Sequence, residues 1–235
     1  MTGFFLWGHR GAAQAAPENT LSSFRAAEEA GADGIELDVH LSRDGVPVVI
    51  HDDTLERTTD GRGAVNRQTL AELRRLDAGR WFAPSFAGER LPTLEEVLAW
   101  SAERLRVNIE IKSAGAGRAV LELLAAYPLA RVLVSSFDHG LLETLRQEAE
   151  HLPLGFLAES RFWRRGLKRA AACGAESFHP RVDLVSAPMV AACRKQGLLL
   201  YPWTVDDPVV AGRLWRLGAA GVFTNDPLKV RRALS

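Results

Sequence analysis

Residues 34–53, GIELDVHLSRDGVPVVIHDD, contain two strand-like segments separated by the turn sequence Ser-Arg-Asp-Gly. GIELDV has the short apolar pattern of a buried strand, and VPVVIH (46–51) follows after a short turn. This connection is too short for a parallel crossover, so an antiparallel hairpin is predicted. With a turn at residues 43–46, Asp38 is predicted to lie directly opposite His51.

The first of these segments belongs to a repeat of short apolar stretches and longer Ala-, Leu-, Arg- and Glu-rich stretches. The predicted strands of the repeat are 4–8, 34–39, 106–112, 131–137, 153–158, 175–179, 198–205 and 221–225. The predicted helices are 20–30, 93–104, 117–126, 138–149, 161–172, 187–195, 206–217 and 227–234. Eight strand–helix units in 235 residues favour an α/β fold of the (β/α)₈ TIM-barrel type over an open sheet. The first strand is followed by no Gly-rich phosphate loop, which also disfavours the open sheet.

Residues 53–92 are the longest interruption of this repeat. A helix pattern at 69–76 indicates that the segment is folded rather than a linker. The chain is therefore predicted to be a single barrel domain, 1–235, with a small insertion after the second strand and over one mouth of the barrel.

Composition limits the functional classes. Lys and Arg together number 29, as do Asp and Glu, so the zero net charge gives no reason to expect nucleic acid or an anionic membrane as a partner. The two cysteines match no metal or redox spacing, which favours a reducing compartment. The N-terminus has no signal-peptide pattern, and no apolar stretch is long enough to span a bilayer. We therefore expect a cytoplasmic protein with a small-molecule substrate and no stable membrane insertion, and its oligomeric state is left open.

Charged residues end the first three barrel strands. Side chains alternate along a strand, so Glu36 and Asp38 share one face, as do Glu110 and Lys112. Enzymes of this architecture build their sites where the strands end. The residues predicted to meet at this mouth are His9, Arg10, Glu36, Asp38, Glu110 and Lys112.

The three carboxylates at this mouth predict a metal site. Glu36, Asp38 and Glu110 are oxygen ligands with no thiolate among them, a set that suits one divalent ion, Mg²⁺ or Ca²⁺. Two carboxylates about 7 Å apart along one strand would repel each other unless a positive charge lay between them.

The basic residues predict phosphate-ester chemistry. His9 and His51 are suited to act as general acid and base near neutral pH. Arg10 and Lys112 provide fixed positive charge for a bound phosphate. Together with the metal site, these residues predict metal-assisted hydrolysis of a phosphate ester.

Motifs along nearly the whole chain resemble those of the glycerophosphodiester phosphodiesterase family. They are HRG (9–11), PENT (17–20), ELD (36–38), HD (51–52) with TLERTTDGRG behind it, IEIK (109–112), SSFD (135–138), WTVD (203–206) and GVFTNDP (221–227). The resemblance implies a (β/α)₈ barrel that hydrolyses diesters such as glycerophosphocholine or glycerophosphoethanolamine to glycerol 3-phosphate and an alcohol. The roles it implies are metal binding by Glu36, Asp38 and Glu110, catalysis by His9 and His51, and phosphate binding by Arg10 and Lys112.

Trp203, Glu18, Asn19 and Asp206 lie near the predicted site. Trp203 is predicted to form an apolar wall for the glycerol carbons, which the resemblance supports. Glu18 and Asn19 precede a helix, and either capping of that helix or orientation of His9 or Arg10 would explain them. Asp206 stands where the resemblance leads us to expect Asn, and it is predicted to cap the next helix.

Two alternative functions are considered. A lysophospholipase D-like activity on single-chain lipids would need an apolar groove, which WFAPSF (81–86) could supply. A non-catalytic phosphate-ester binding barrel would be expected to lack a histidine or a carboxylate of the set, and none is missing. The residues do not say which histidine is the base, or whether water attacks directly or a cyclic phosphate forms first.

Overall fold

The computed structural model describes residues 3–113 and 115–234, and it confirms the predicted TIM barrel. The strands are β1 (Phe5–Gly8), β2 (Gly34–Leu41), β3 (Pro47–Val49), β4 (Arg106–Ile111), β5 (Val132–Ser136), β6 (Leu154–Ala158), β7 (Ser177–Pro180), β8 (Leu199–Leu200) and β9 (Gly221–Thr224). Eight of them are parallel and form the sheet in the order β8-β7-β6-β5-β4-β2-β1-β9, and β3 pairs with β2 outside this path.

Helices follow the barrel strands and cover the outside of the sheet. They are α1 (Leu21–Glu29), α3 (Leu94–Ser101), α4 (Ala116–Ala125), α5 (His139–Glu148), α6 (Trp163–Ala172), α7 (Ala187–Lys195), α8 (Pro208–Leu217) and α9 (Pro227–Leu234). The short helix α2 (Leu70–Leu73) lies apart from them, between β3 and α3. Local sequence explains several of their starts. For α3, Thr93 and Glu96 form a capping box in which each side chain accepts a hydrogen bond from the other's backbone N–H.

Three backbone hydrogen bonds close the ring between the segment after β8 and the segment around β9. Ala220 N donates to Leu200 O at 3.0 Å, Phe223 N to Pro202 O at 2.9 Å, and Val205 N to Phe223 O at 2.9 Å. The predicted strand at 198–205 is regular over only two residues. Pro202 explains part of this difference, because proline has no backbone N–H to donate to a neighbouring strand.

Aromatic rings fill the lower barrel interior. Trp7 stacks on Phe223 with ring centroids 5.6 Å apart, and Tyr201 meets Trp7 edge to face at 5.9 Å. Trp7, Tyr201 and Phe223 are all buried. This packing fills the barrel interior below the carboxyl ends of the strands, the end at which enzymes of this architecture build their sites.

The turn between β2 and β3 is one residue shorter than predicted. Leu41 lies opposite Pro47, the position at which the sequence predicted Ser42. Ser42 N donates to Val46 O, and Gly45 N donates to Ser42 O, both at 3.0 Å. Gly45 has φ +80°, which closes a three-residue loop that glycine adopts at no steric cost.

The predicted pairing of Asp38 with His51 is therefore wrong. Ile50 N, not His51, donates to Asp38 O at 3.0 Å. A one-residue shift in register exchanges the two faces of a strand. His51 nevertheless reaches the mouth, because β3 ends at Val49 and the chain bends immediately afterwards.

The segment between β3 and α3 has an apolar cluster of its own. It contains the short helix α2 and two 3₁₀ turns, Val65–Arg67 and Pro84–Phe86. The cluster consists of Val48, Ile50, Leu55, Val65, Leu73, Ala78 and Leu91. Because β3 pairs with the carboxyl end of β2, this segment lies beside the open mouth. Over the described ranges 3–113 and 115–234, no helix has the length and apolar character needed to cross a membrane.

Candidate active site

A cavity of about 490 Å³ opens at the carboxyl ends of the barrel strands. Its lining includes seven of the residues that the sequence predicted for the site: His9, Arg10, Glu36, His51, Glu110, Lys112 and Trp203. The lining residues that were not predicted are Asn108, Phe137, Leu157, Glu159 and Phe223. Asn108 shares the strand face of Glu110, so the same two-residue period that selected Glu110 could have found it.

Three buried carboxylates meet beside this cavity. One oxygen atom from each of Glu36, Asp38 and Glu110 lies within 4.8 Å of the others. The strand register explains the meeting, because Glu110 lies opposite Asp38 on the neighbouring parallel strand. Glu36 Oε1 is buried and has no hydrogen-bond partner in the described part of the chain. A divalent ion would give this oxygen a partner, so the residues fit a metal site.

The electrostatics of the three carboxylates differ. Burial, reinforced by Asp38 and Glu110, raises the pKa of Glu36 well above its usual value. Burial and the charge of Asp38 raise the pKa of Glu110 to about 7. Burial opposes ionisation of Asp38 as well, but Arg10 and Lys112 hold its pKa below the usual range. These shifts follow from the burial of three neighbouring carboxylates, of which Asp38 lies 3.5 Å from both cations.

Two cations border the cluster from opposite sides. Lys112 Nζ donates to Glu110 Oε1 at 2.8 Å and lies 3.5 Å from Asp38 Oδ1. Arg10 Nε lies 3.5 Å from Asp38 Oδ2, and the backbone N–H of Arg10 donates to Glu36 Oε2 at 2.8 Å. Both side chains remain partly accessible and line the cavity, so each can also contact a bound anion.

The loop after β1 has an unusual backbone. Arg10 has φ +55°, a left-handed conformation that is uncommon for residues other than glycine. Gly11 follows at φ +86°, and a Cβ there would lie 2.3 Å from Ser23 Oγ. The glycine is therefore needed for α1 to pack under this loop.

Glu18 and Asn19 contact the site rather than cap a helix. Asn19 Nδ2 donates to Asp38 Oδ2 at 2.8 Å, and Glu18 Oε1 accepts from Arg10 at 2.8 Å. Thr20 caps α1 by accepting from Ser23 N. Of the two explanations left open by the sequence, orientation of the charged residues is the one that these contacts favour.

His9 is held by a chain of polar contacts. Its Nδ1 lies 2.7 Å from Asn225 Oδ1, and Asn225 Nδ2 donates to Asp206 Oδ2 at 2.9 Å. Because the amide nitrogen is used by Asp206, the amide oxygen faces the imidazole, which places the ring proton on Nδ1. Burial, followed by the charge of Arg10, lowers the pKa of His9 to about 4.

The role predicted for Asp206 as a helix cap is wrong. Asp207 caps α8 by accepting from Val209 N at 2.8 Å, and Pro208 is the first residue of that helix. Asp206 instead accepts from the backbone N–H of Asn225 at 2.7 Å as well as from its side chain. The prediction failed because the two aspartates are adjacent and both could cap a helix by sequence alone.

His51 has a carboxylate partner that the sequence did not assign. His51 Nδ1 donates to Asp52 Oδ1 at 2.6 Å, and Arg57 Nε donates to Asp52 Oδ2 at 2.6 Å. Arg57 also donates to both carboxylate oxygens of Glu18, at 2.8 and 2.9 Å. A carboxylate on Nδ1 fixes the orientation of the ring and its tautomer. His40 contacts His51 through the backbone, with Nε2 3.1 Å from the His51 carbonyl oxygen.

Aromatic residues of two regions were predicted to be near substrate. Trp203 lines the cavity, and its Nε1 donates to His179 O at 2.9 Å. The aromatic residues of 81–86 do not line it: Trp81 is 42% exposed, and Phe82 meets Trp81 and Phe86 edge to face. The apolar groove required by the lysophospholipase D alternative is therefore not formed by this segment.

Comparisons with known proteins show the family of the chain. The model of the Glycerophosphoryl diester phosphodiesterase family matches residues 9–229. A glycerophosphodiester phosphodiesterase of Caldanaerobacter subterraneus subsp. tengcongensis is 42% identical over 229 residues, which cover 93% of each chain. One from Bacillus subtilis is 34% identical over 93% of this chain and 82% of its own.

Solved structures show the same architecture. An Oleispira antarctica phosphodiesterase in complex with the product sn-glycerol-3-phosphate superposes with a TM-score of 0.90 at 30% identity, covering 98% of this chain and 96% of that chain. A Thermotoga maritima glycerophosphodiester phosphodiesterase gives a TM-score of 0.84 at 29% identity, with 99% of each chain covered. From its motifs, its barrel and these relatives, the chain belongs to the glycerophosphoryl diester phosphodiesterase family of enzymes.

Proposed function

We propose that this enzyme hydrolyses glycerophosphodiesters to glycerol 3-phosphate and an alcohol in a reaction that depends on a divalent metal ion. The observation that supports this most directly is the meeting of three buried carboxylates, two histidines and two cations around one cavity. The Oleispira relative, which binds sn-glycerol-3-phosphate, provides independent support for the product.

The metal proposed for this site is one Mg²⁺ or Ca²⁺ held by Glu36, Asp38 and Glu110. Oxygen-only ligands favour these hard cations over softer metals. When bound, the ion neutralises charge on the phosphodiester and polarises its phosphorus–oxygen bonds. Arg10 and Lys112 add fixed positive charge on either side of the carboxylates, where the phosphate oxygens gain charge during the reaction.

Proton transfer is proposed to involve the two histidines. His9, neutral and hydrogen-bonded through Nδ1 to Asn225, presents Nε2 to the cavity as an acceptor. His51 has its Nδ1 on Asp52 and lines the same cavity. One ring accepts the proton of the attacking hydroxyl or water, and the other donates a proton to the departing alcohol.

Trp203 is proposed to form an apolar wall for the glycerol carbons of the substrate. Its indole is fixed by the hydrogen bond to His179 and presents an apolar surface to the cavity. Glu18 and Asn19 are proposed to orient Arg10 and Asp38, with which they form hydrogen bonds.

The cellular setting is proposed from the chain itself. Cys173 and Cys193 are both free thiols, as expected in the reducing cytoplasm. The balanced charge favours a small-molecule substrate and no nucleic-acid partner. We propose that the whole chain acts as one domain, with residues 53–92 as an insertion beside the active mouth.

The decisive experiment is release of alcohol from a panel of glycerophosphodiesters, with and without a chelator. We expect turnover with Mg²⁺ or Ca²⁺ and loss of turnover in excess chelator, restored by adding the ion back. Full turnover by metal-stripped protein in excess chelator would contradict the metal dependence. A preference for Zn²⁺ would count against the oxygen-ligand assignment.

A further inference from the structure

The charge of the chain is balanced overall but divided unevenly along it. Residues 161–235 contain 13 Lys and Arg against 5 Asp and Glu, whereas residues 1–160 contain 16 Lys and Arg against 24 Asp and Glu. The net charge of zero therefore hides a basic part and an acidic part of the chain. An asymmetry of this kind can give one face of a neutral protein an anionic partner.

The basic part begins at the rim of the cavity, with the segment that leads into α6. Glu159 follows β6 and lines the cavity, and Phe162 directly precedes Trp163, the first residue of α6. A helix that follows a barrel strand starts beside the carboxyl end of that strand. Exposed groups on the first turns of α6 therefore lie on the same side of the molecule as the active site.

Four exposed cations lie in this segment. They are Arg161, Arg164, Arg165 and Lys168. The last three share the outer side of α6, because positions three and four apart are neighbours on a helix surface. Within residues 3–113 and 115–234, none of the four forms a salt bridge. The next cation, Arg169, is by contrast bound by both carboxylate oxygens of Glu143, at 2.7 and 2.9 Å. The four positive charges are therefore available to a partner.

An exposed phenyl ring lies among these cations. Phe162 keeps 70% of its surface exposed, although it is a large apolar side chain. The guanidinium of Arg161 lies over this ring, with its Cζ atom 5.2 Å from the ring centroid. Trp163, the next residue, is buried and anchors the start of α6 to the barrel. The structure therefore presents an apolar ring outward, surrounded by positive charge.

An anionic bilayer matches this surface better than a nucleic acid does. Cations at a bilayer surface pair with lipid phosphates, and an aromatic ring among them enters the boundary between headgroups and acyl chains. The phosphates of a nucleic-acid duplex would bind the cations but would offer Phe162 no apolar contact. The exposed ring therefore favours the bilayer.

We propose that residues 161–168 form a peripheral docking surface for anionic phospholipid bilayers. The cations hold the enzyme at the lipid surface, and Phe162 enters the headgroup region without spanning the membrane. Because this docking surface borders the mouth, the cavity lies close to the bilayer. The proposed substrates arise there, since hydrolysis of both acyl esters of a phospholipid leaves a glycerophosphodiester at the lipid surface.

The test is sedimentation of the full chain with lipid vesicles at physiological ionic strength. Vesicles of phosphatidylglycerol and phosphatidylcholine in equal amounts should bind the wild type, and vesicles of phosphatidylcholine alone should bind it much less. Binding to the anionic vesicles should weaken as salt is added, because salt screens exposed charges.

Two variants test the two components of the docking surface. The triple variant Arg161→Gln/Arg165→Gln/Lys168→Gln should lower the vesicle partition coefficient by about 100-fold, since each cation near an anionic surface contributes about fivefold. Phe162→Ala should lower it by about three- to tenfold, because the apolar contact of the ring is lost. Both variants should keep the wild-type kcat/KM on glycerophosphocholine in solution, because none of these residues lines the cavity.

Matched controls lie at the opposite end of the barrel. Arg194, Lys195 and Arg216 are exposed cations in the last turns of α7 and α8. Their triple change to Gln removes as much charge as the docking variant does. Leu129→Ala, in the loop before β5, removes an apolar side chain that is 70% exposed, like Phe162. Neither control should lower binding by more than about twofold, because charges at the far end of the barrel are screened from the bilayer.

The contradicting outcomes are distinct. Equal binding to both kinds of vesicle, or equal losses for the docking and control variants, would overturn the docking surface. Tighter binding of an oligonucleotide duplex than of the anionic vesicles, lost in the triple variant, would overturn it in favour of a nucleic acid. Self-association of the wild type without vesicle binding, lost in the same variant, would overturn it in favour of a second copy of the chain. The phosphodiesterase activity is measured without lipid, so none of these outcomes changes the proposed function.

Discussion

Lys112 contacts two of the three proposed metal ligands and is one of the cations in the cavity. Its ammonium lies 2.8 Å from Glu110 and 3.5 Å from Asp38, in a mostly buried position. A guanidinium is larger and planar, so it cannot replace this point charge between the two carboxylates without moving them. We expect Lys112→Arg to lose most activity despite keeping the charge, and Lys112→Met to lose it as well.

The measurement is kcat on glycerophosphocholine, with thermal melting as a check on folding. Lys168→Arg, an exposed lysine on α6, is the matched control and should leave kcat unchanged. A Lys112→Arg enzyme with near-normal kcat would show that charge alone is required at this position.

The two histidines of the cavity are the residues expected to move protons. His9→Ala and His51→Ala should each lower kcat by roughly 10² to 10⁴ while leaving the fold and metal binding nearly intact. His40→Ala is the comparison. The His40 ring contacts the backbone oxygen of His51 and does not line the cavity, so its loss should lower kcat much less. Equal losses for His40→Ala and His51→Ala would mean that His40 has a direct part in the reaction.

Between elements, Arg57 joins the bend after β3 to the loop before α1. Its guanidinium binds Asp52 and Glu18 together, and its hydrogen bonds are the largest cause that keeps the pKa of Asp52 below its usual range. We expect Arg57→Ala to lower kcat by about tenfold, less than the 10² to 10⁴ expected for loss of a histidine. The loss of kcat is expected because Asp52, without Arg57, would hold the His51 ring less rigidly.

The pH profile tests this role of Arg57. A carboxylate with a depressed pKa stays ionised, and keeps its hydrogen bond to its partner, down to low pH. Its effect on the position of that partner is lost as pH falls through the depressed pKa. Arg57→Ala raises the pKa of Asp52, so the loss of kcat/KM on the acid side should move to higher pH. Arg62→Ala, an exposed arginine of the same segment, should leave the profile unchanged. An unchanged profile for Arg57→Ala would limit Arg57 to a structural contact.

At the scale of the whole molecule, the cluster of Glu36, Asp38 and Glu110 makes the stability of the fold depend on pH and on metal binding. The pKa of Glu110 is raised to about 7 and that of Glu36 is raised well above its usual value. A raised pKa in the folded state stabilises the protein at low pH, and this contribution is lost as pH rises towards and beyond 7. Metal-free protein should therefore melt at a lower temperature at pH 8 than at pH 6.

Mg²⁺ or Ca²⁺ should reverse this loss, because the ion binds the deprotonated carboxylates. At about 100 times its Kd the ion adds roughly 2.7 kcal/mol, or about 5–10 °C in Tm for a chain of this size. The increase should be larger at pH 8 than at pH 6, as measured by calorimetry. Glu36→Gln should remove most of the increase in Tm that the ion causes. Glu103 is an exposed carboxylate before β4, and Glu103→Gln should leave that increase unchanged. An equal Tm increase for Glu36→Gln and the wild type would place the ion elsewhere.

Local patterns determined much of the fold and the charged half of the site. The alternation of strand and helix predicted eight barrel units, and the two-residue period placed Glu36 with Asp38 and Glu110 with Lys112. These features depend on residues close together in the chain, where backbone geometry decides which way a side chain points. The prediction failed locally where one glycine shortened the β2–β3 turn and shifted its register.

The partners of these residues were decided only by the tertiary structure. Asn225 is 216 positions from His9 and reaches it because the ring closes β9 against β1. Phe137 and Trp203 meet across the mouth for a similar reason, although neither neighbours the other in sequence. The sequence by itself determined which strand ends bear the charged groups of the reaction. Barrel closure decided which distant side chains orient those groups and line the apolar half, because contacts between strand ends depend on how the whole sheet curves.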